Sequence, residues 1–235
     1  LNNGYGYFSE IAHLSGISHT DWSWSPLFID LDSDSHKDLV ISNGFLKDLR
    51  NNDFLTKMKI TGEDKLNQLS FEEINRLAPS TPIGNYIYKN NGDLTFDNVS
   101  AGSMFSEKGF STGMAYGDLD NDGDMDVVVN NSNAEASIFE NTNTSGNNFL
   151  NVKLKGKYYN TKGLGAKVKV YYNDQVQASD MVTVRGYMSS SQAMLNFGLG
   201  RNSKVDSVVI HWDHISTTVI ENPKINETLF VDYQK

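Results

Sequence analysis

Residues 118–126 read Asp-Leu-Asp-Asn-Asp-Gly-Asp-Met-Asp, with a carboxylate at every odd position and glycine at the sixth. Unneutralised carboxylates a few ångströms apart repel by roughly 1 kcal/mol per pair even in water, so the pattern calls for a cation among them. A hard cation such as Ca²⁺ takes about six to eight oxygens, and D-x-D-x-D-G opens the calcium loop of an EF-hand. Here the ninth residue is Asp126, and the twelfth place, where an EF-hand needs Glu, holds Val129. Val127-Val128-Val129 is β-branched and reads as a buried strand, where an EF-hand would place a helix. The loop is therefore a calcium site of another kind, closed early and running straight into a strand. Asp118, Asp120, Asp122 and Asp126 are predicted to ligate through side chains, and Asp124 through its backbone carbonyl.

Residues 30–38, Asp-Leu-Asp-Ser-Asp-Ser-His-Lys-Asp, repeat the pattern and lead into Leu39-Val40-Ile41. The equivalent ligands are Asp30, Asp32, Asp34 and Asp38, with the carbonyl of His36. The two loops lie 88 positions apart, and the same offset sets Asn2-Asn3-Gly4 on Asn90-Asn91-Gly92, Phe8 on Phe96, Ser23 on Ser111 and Asn43 on Asn131. A long self-match at one offset marks an internal repeat, but a propeller blade takes only about 40–50 residues. The excess lies in residues 44–85. Segments 51–60 and 63–77 carry apolar residues at helical spacing (Leu66, Leu69, Ile74, Leu77), Ser70 with Glu73 fits a capping box, and Pro79 and Pro82 end the second segment. This predicts a helical insertion between two strands of one blade. At the sixth position of the first loop Ser35 replaces glycine, so that site is predicted to be weaker or more strained.

The chain has 235 residues and a net charge of −9. Residues 1–150 carry 9 Lys/Arg against 22 Asp/Glu, whereas residues 151–235 carry 11 against 7. The change of sign coincides with the polar stretch Thr142-Asn143-Thr144-Ser145-Gly146-Asn147-Asn148. A boundary is expected there, between 1–148 and 149–235. There are no cysteines, which excludes disulfides, thiolate zinc sites and cysteine nucleophiles. No apolar run approaches the roughly 18 residues of a membrane span. The chain starts inside a repeat, so further blades are expected to belong to a longer parent protein. Acidic loops of this kind suit the millimolar calcium found outside the cytosol, at a cell surface, in a periplasm or after secretion.

Residues 89–131, from Lys-Asn-Asn-Gly through Phe96 to the acidic loop, Val-Val-Val and Asn-Asn, resemble an FG-GAP/VCBS repeat. Residues 22–43 resemble a second copy. Residues 149–235 are similar to the ASPIC/UnbV domain. That resemblance rests on Gly163-Leu164-Gly165-Ala166-Lys167-Val168, Arg185-Gly186-Tyr187, Ser189-Ser190-Ser191, Phe197-Gly198-Leu199-Gly200 and Val205 to Trp212. Asp213-His214 follow Trp212 where the family usually has Pro and then Gly. The resemblance implies an all-β chain: partial calcium-binding propeller blades with the helical insertion, then an antiparallel β-sandwich-like domain. Strands are expected at 149–156, 165–173, 176–184, 193–197, 205–212 and 227–233.

Candidate chemistry outside the loops is sparse. The five histidines, His13, His19, His36, His211 and His214, have no H-E-x-x-H spacing. Ser189-Ser190-Ser191 lacks a G-x-S-x-G frame and reads as a polar strand or turn. Gly198-Leu199-Gly200 reads as a turn. Trp22, Trp24, Phe28, Phe110 and Tyr116 read as blade core and rim. Lys153, Lys155, Lys167 and Lys169 alternate with apolar residues, giving a wet sheet face or a dock for an anionic polysaccharide. The acidic balance and the lack of a basic aromatic module argue against nucleic acid. The resemblance implies a non-enzymatic surface or adhesion module, with calcium in a structural role and a glycan or protein as partner. The alternative is an accessory carbohydrate-binding part of an extracellular polysaccharide-processing enzyme.

Overall fold

Strands β1 (Ser25–Ile29) and β2 (Asp38–Ser42) pair antiparallel on either side of the first acidic loop, from Ser25 opposite Ser42 to Ile29 opposite Asp38. The computed structural model describes residues 1–61 and 69–233. β3 (Tyr86–Asn90) and β4 (Phe96–Asn98) complete a sheet of order β1-β2-β3-β4. The second unit repeats the arrangement with β5 (Ser111–Gly117), β6 (Asp126–Asn131) and β7 (Ser137–Phe139) in the order β5-β6-β7. The 88-residue offset holds in space, because Gly117 faces Asp126 as Ile29 faces Asp38. It extends to the first residues, where the bridge between Asn2 and Phe8 matches the pair Asn90–Phe96.

The link from β2 to β3 spans residues 43–85, whereas that from β6 to β7 spans 132–136. The long link holds α1 (Asn52–Thr61) and α2 (Phe71–Leu77). α2 begins with the capping box: Ser70 Oγ accepts from Glu73 N at 3.2 Å, and Ser70 N donates to Glu73 Oε2 at 2.8 Å. The helices contribute little core. Phe54 is the buried residue of α1 and α2 has none, while Ile60 and Phe71 are 80% and 74% exposed. Leu66 of the predicted apolar spacing lies outside the described residues.

The two blades are joined by a buried polar network. Ser111 N donates to Asn43 O at 2.8 Å, Asn43 N to Asn85 Oδ1 at 2.9 Å, and Asn85 Nδ2 to Ser111 Oγ at 3.1 Å. Burying amides is favourable only when they are paired this way. Below the network Leu27, Ile29, Val40, Met114, Met125, Val127 and Val129 share one core.

The C-terminal part is a pair of sheets around a second core. β8 (Asn148–Lys155), β11 (Leu195–Gly200) and β14 (Thr228–Asp232) run in the order β11-β8-β14. β9 (Lys167–Tyr172), β10 (Gln175–Asp180), β12 (Ser207–His211) and β13 (Thr217–Glu221) run β10-β9-β12-β13. Leu150, Val152, Val168, Val170, Phe197, Leu199, Val208 and Ile210 fill the space between them. All pairings are antiparallel except β14 on β8, which is parallel.

Three expectations change. Gly198-Leu199-Gly200 lies within β11 rather than in a turn, and Gly198 presses against the first acidic loop, which leaves no room for a side chain there. β13 has no counterpart among the expected strands, since its alternation is short and mostly exposed. The four lysines do not share a face: Lys153 and Lys155 are on β8, Lys167 and Lys169 on β9, in different sheets of the sandwich. Lys155 and Lys167 are also paired, with Asp232 at 3.5 Å and Asp180 at 3.7 Å. Where the family has Pro after Trp212, the Asp213 carboxylate takes over the turn, accepting from Ile215 N at 2.8 Å and Ser216 N at 2.6 Å.

The motif Arg185-Gly186-Tyr187 lies in a hairpin closed by the bridge Val184–Ser190, and this hairpin reaches back between β1 and β5. Tyr187 N donates to Ser25 Oγ at 3.2 Å, and Gly186, at φ +75°, lies against Ser25, Leu27 and the Met114 carbonyl. A side chain at Gly186 would collide with Ser25, which explains the glycine. Tyr187 also packs on Trp24, with ring centroids 4.6 Å apart, inside a cluster with Trp22 and Phe45. By contrast Phe28 points outward and is 52% exposed.

Candidate metal centre

Each acidic loop is wound so that the carboxylates at its first, third and fifth positions converge. Two left-handed residues do this: Ser33 (φ 56°) and Ser35 (φ 78°) in the first loop, Asn121 (φ 66°) and Gly123 (φ 103°) in the second. Side-chain-to-backbone bonds fix the turns, Asp122 N to Asp120 Oδ1 at 3.2 Å and Asp124 N to Asp122 Oδ1 at 3.1 Å. In the first loop Asp34 N and Ser35 N both donate to Asp30, at 3.0 and 2.9 Å. As a result one carboxylate oxygen from each of Asp118, Asp120 and Asp122 lies within 4.8 Å of the others, and the same holds for Asp30, Asp32 and Asp34.

The remaining predicted ligands sit at the loop ends. Both oxygens of Asp126 accept backbone N–H groups, from Leu119 and Asn141, each at 2.8 Å. Asp38 does the same with Leu31 at 3.1 Å and Asn90 at 2.9 Å. These two residues tie each loop to the adjoining chain. Asp124 is buried, with Oδ2 accepting from Asn143 N at 3.1 Å. His36 N donates to Asp34 Oδ1 at 2.8 Å, and its ring lies against Gly92.

Among the described residues, three buried carboxylate oxygens have no hydrogen-bond partner: Asp118 Oδ1, Asp124 Oδ1 and Asp32 Oδ1. A buried ionised oxygen without a donor is costly, so such a group either holds its proton or meets a cation. Four carboxyl groups of the loops, those of Asp30, Asp38, Asp118 and Asp124, are shifted upward by burial. Burial, reinforced by the neighbouring Asp34 charge, pushes Asp30 up to about 7. Burial pushes Asp38 up to about 6 and Asp124 up to about 7, and Asp118 shifts in the same direction. An all-oxygen, multiply charged donor set fits a hard divalent cation and not a metal that favours thiolate or imidazole.

The two loops differ in their surroundings. Lys89 Nζ forms an ion pair with Asp32 Oδ2, which holds the ammonium above its usual value. Among the described residues no such cation pairs with the second loop; an amide faces it instead. Asn151 Nδ2 lies 3.3 Å from Asp118 Oδ2, and Asn196 Nδ2 donates to Asn151 Oδ1 at 2.9 Å and contacts Gly123 O at 3.4 Å. The sequence carries no local sign of Lys89, Asn151 or Asn196, since each reaches its loop from a distant strand. Among the described residues no histidine joins a carboxylate cluster. Ser191 Oγ accepts from Tyr116 N at 3.2 Å and Ser189 Oγ donates to Tyr187 O at 2.6 Å, so these serines bond backbone within the hairpin and to β5.

A family model described as an FG-GAP-like repeat matches residues 77–129, and one described as ASPIC and UnbV matches residues 156–235. The chain therefore carries an FG-GAP-like repeat followed by an ASPIC and UnbV region. Cartilage acidic protein 1 of Mus musculus is 26% identical over 141 residues, covering 58% of this chain and 22% of that protein. The protein of the same name from Xenopus tropicalis is 25% identical over 169 residues, covering 68% of this chain and 26% of the relative. That from Homo sapiens is 25% identical over 141 residues. The chain thus spans about a quarter of the length of these relatives. No helix among the described residues is long and apolar enough to cross a membrane.

Proposed function

We propose that the chain is a calcium-dependent, non-catalytic binding module that works outside the cytoplasm and presents its blades and C-terminal sheets to a glycan or protein partner. The observation that carries the calcium part is the pair of buried, unpartnered oxygens on Asp118 and Asp124 within a loop of five carboxylates. The matched FG-GAP-like repeat and the similarity to cartilage acidic protein 1 support an extracellular module of adhesion type. Calcium here has a structural role: it neutralises the loop between the first two strands of a blade and fixes the turn. Asp118, Asp120, Asp122 and Asp124 would hold the ion in the second loop, and Asp30, Asp32 and Asp34 in the first.

Thermal unfolding in EDTA and across a calcium titration tests this reading. A stabilising ligand raises stability by about 2.7 kcal/mol at a hundred times its Kd. The melting temperature is expected to climb with calcium. Asp120→Ala should remove most of that gain and Asp32→Ala a smaller part. A wild-type curve indifferent to calcium would refute the reading. The partner is sought by screening the calcium-loaded chain against immobilised glycans and extracellular proteins, with EDTA as the control; binding that survives EDTA unchanged would separate partner recognition from the metal.

A further inference from the structure

We propose that the outer face of the β11-β8-β14 sheet is part of the metal centre, so that ion binding in the acidic loops and docking of the C-terminal sandwich onto the blades are a single linked event. The proposal rests on the calcium reading above and adds residues that lie outside both loops.

One face of β8 and β11 carries Phe149 and Asn151 opposite Gly198 and Asn196. Side chains two apart on a strand share a face, so these four form a patch of two rows. Both loops rest on that patch. The second loop meets Asn151 and Asn196, and its Gly123 sits so close to the Phe149 ring that any Cβ would run into it. The first loop meets Gly198, where a Cβ would strike Asp30 Oδ2 and the Ser33 backbone. Gly200 N donates to Ser33 O at 2.9 Å. From the chain between the two regions, Ser145 Oγ and Asn147 Nδ2 both donate to Asp32 O, at 2.9 and 2.8 Å.

Asn151 is fully buried, and its amide is divided between the Asp118 carboxylate and Asn196. The other oxygen of Asp118 is buried and has no hydrogen-bond partner among the described residues. An ion on that oxygen fixes the carboxylate whose second oxygen meets Asn151, so the metal and the C-terminal sheet act on one group from two sides. A cation that draws the five carboxylates together therefore also sets the surface that Asn151, Asn196 and Phe149 must fit. Without the ion, mutual repulsion spreads the same surface. Because β11 touches one loop through Asn196 and the other through Gly198, occupation of either loop favours the other. Linkage of this kind is reciprocal by thermodynamic necessity.

Hydrogen exchange on the whole chain, with and without calcium, tests the proposal, with calorimetry reporting binding itself. Calcium at a hundred times its Kd is expected to slow exchange by about a hundredfold in residues 118–126 and also in β8 and β11. In Asn196→Ala, and independently in Asn151→Ala, calcium should bind several-fold more weakly, as reciprocity requires, and at a concentration that saturates the variant it should still protect the second loop. The slowing at β8 and β11 should fall at least about tenfold short of wild type. Slowing confined to the loops and β5–β6, or slowing at β8 and β11 that is unchanged in both variants, overturns the joint while leaving the calcium site standing. Absence of both binding heat and any calcium-dependent slowing of exchange in the wild-type chain removes the calcium reading itself, and the joint with it.

Discussion

Ser35 occupies the left-handed position that Gly123 fills in the second loop, with φ of 78° against 103°. A non-glycine residue there costs about 1–2 kcal/mol, partly offset by the lower chain entropy of serine in the unfolded state. Ser35→Gly should therefore stabilise the protein by up to about 1 kcal/mol, read as a rise in melting temperature in EDTA. The Lys89–Asp32 pair is half-exposed, and an exposed pair is worth about 1 kcal/mol at most. Lys89→Met should tighten calcium at the first loop by up to about fivefold in calorimetry, because the ion no longer competes with the ammonium. The acidity of the loops predicts a pH signature. Asp30 and Asp38 have folded values of about 7 and 6, above the ordinary 3.8. Groups raised in this way stabilise the fold fully below pH 4, and the contribution is lost as pH rises through 6 to 7. In EDTA the melting temperature should fall between pH 5 and pH 8; excess calcium should flatten that fall. A rise in EDTA across the same window would contradict the burial of these carboxylates.

The acidic loops, the strands after them and the α2 capping box were legible because each is written in adjacent residues. β13 was not, since Thr217–Glu221 alternates only weakly and borrows its order from β12. The end of β11 was missed for a different reason, since a strand was expected only over 193–197. Its glycines look like a turn in isolation, and only the approach of Asp30 and Ser33 shows why a strand would lack side chains there. This makes a prediction for the element as a whole. Gly198→Ala should shift the first loop and cost about 1–3 kcal/mol, as an inserted methyl in a packed site does. Gly123→Ala should cost more, because it adds backbone strain at φ 103° to the clash with Phe149. Thermal melts of both variants, with calorimetry to show which loop loses its ion, check the assignment. The helices of the insertion were legible by periodicity, yet that periodicity gave no hint that Ile60 and Phe71 stay exposed, because apolar spacing reports a helix and not what covers it.

For the whole molecule, the repeat could be read from its offset, while the way the C-terminal sheets meet the blades could not. No local pattern states that Arg185-Gly186-Tyr187 would lodge between β1 and β5, or that Asn196 would face a loop 73 residues away. Such contacts join distant stretches of chain and have no period. The hairpin carries one further consequence, for the order in which the protein can be made. Ser25 and Tyr187 are separated by 162 residues. At a synthesis rate of about 5–20 residues per second, the first blade waits roughly 8–32 s for the wedge that seals its inner edge. Until residues 184–190 emerge, a nascent chain leaves the surface around Leu27 uncovered, and Met114 joins that surface once β5 has been made.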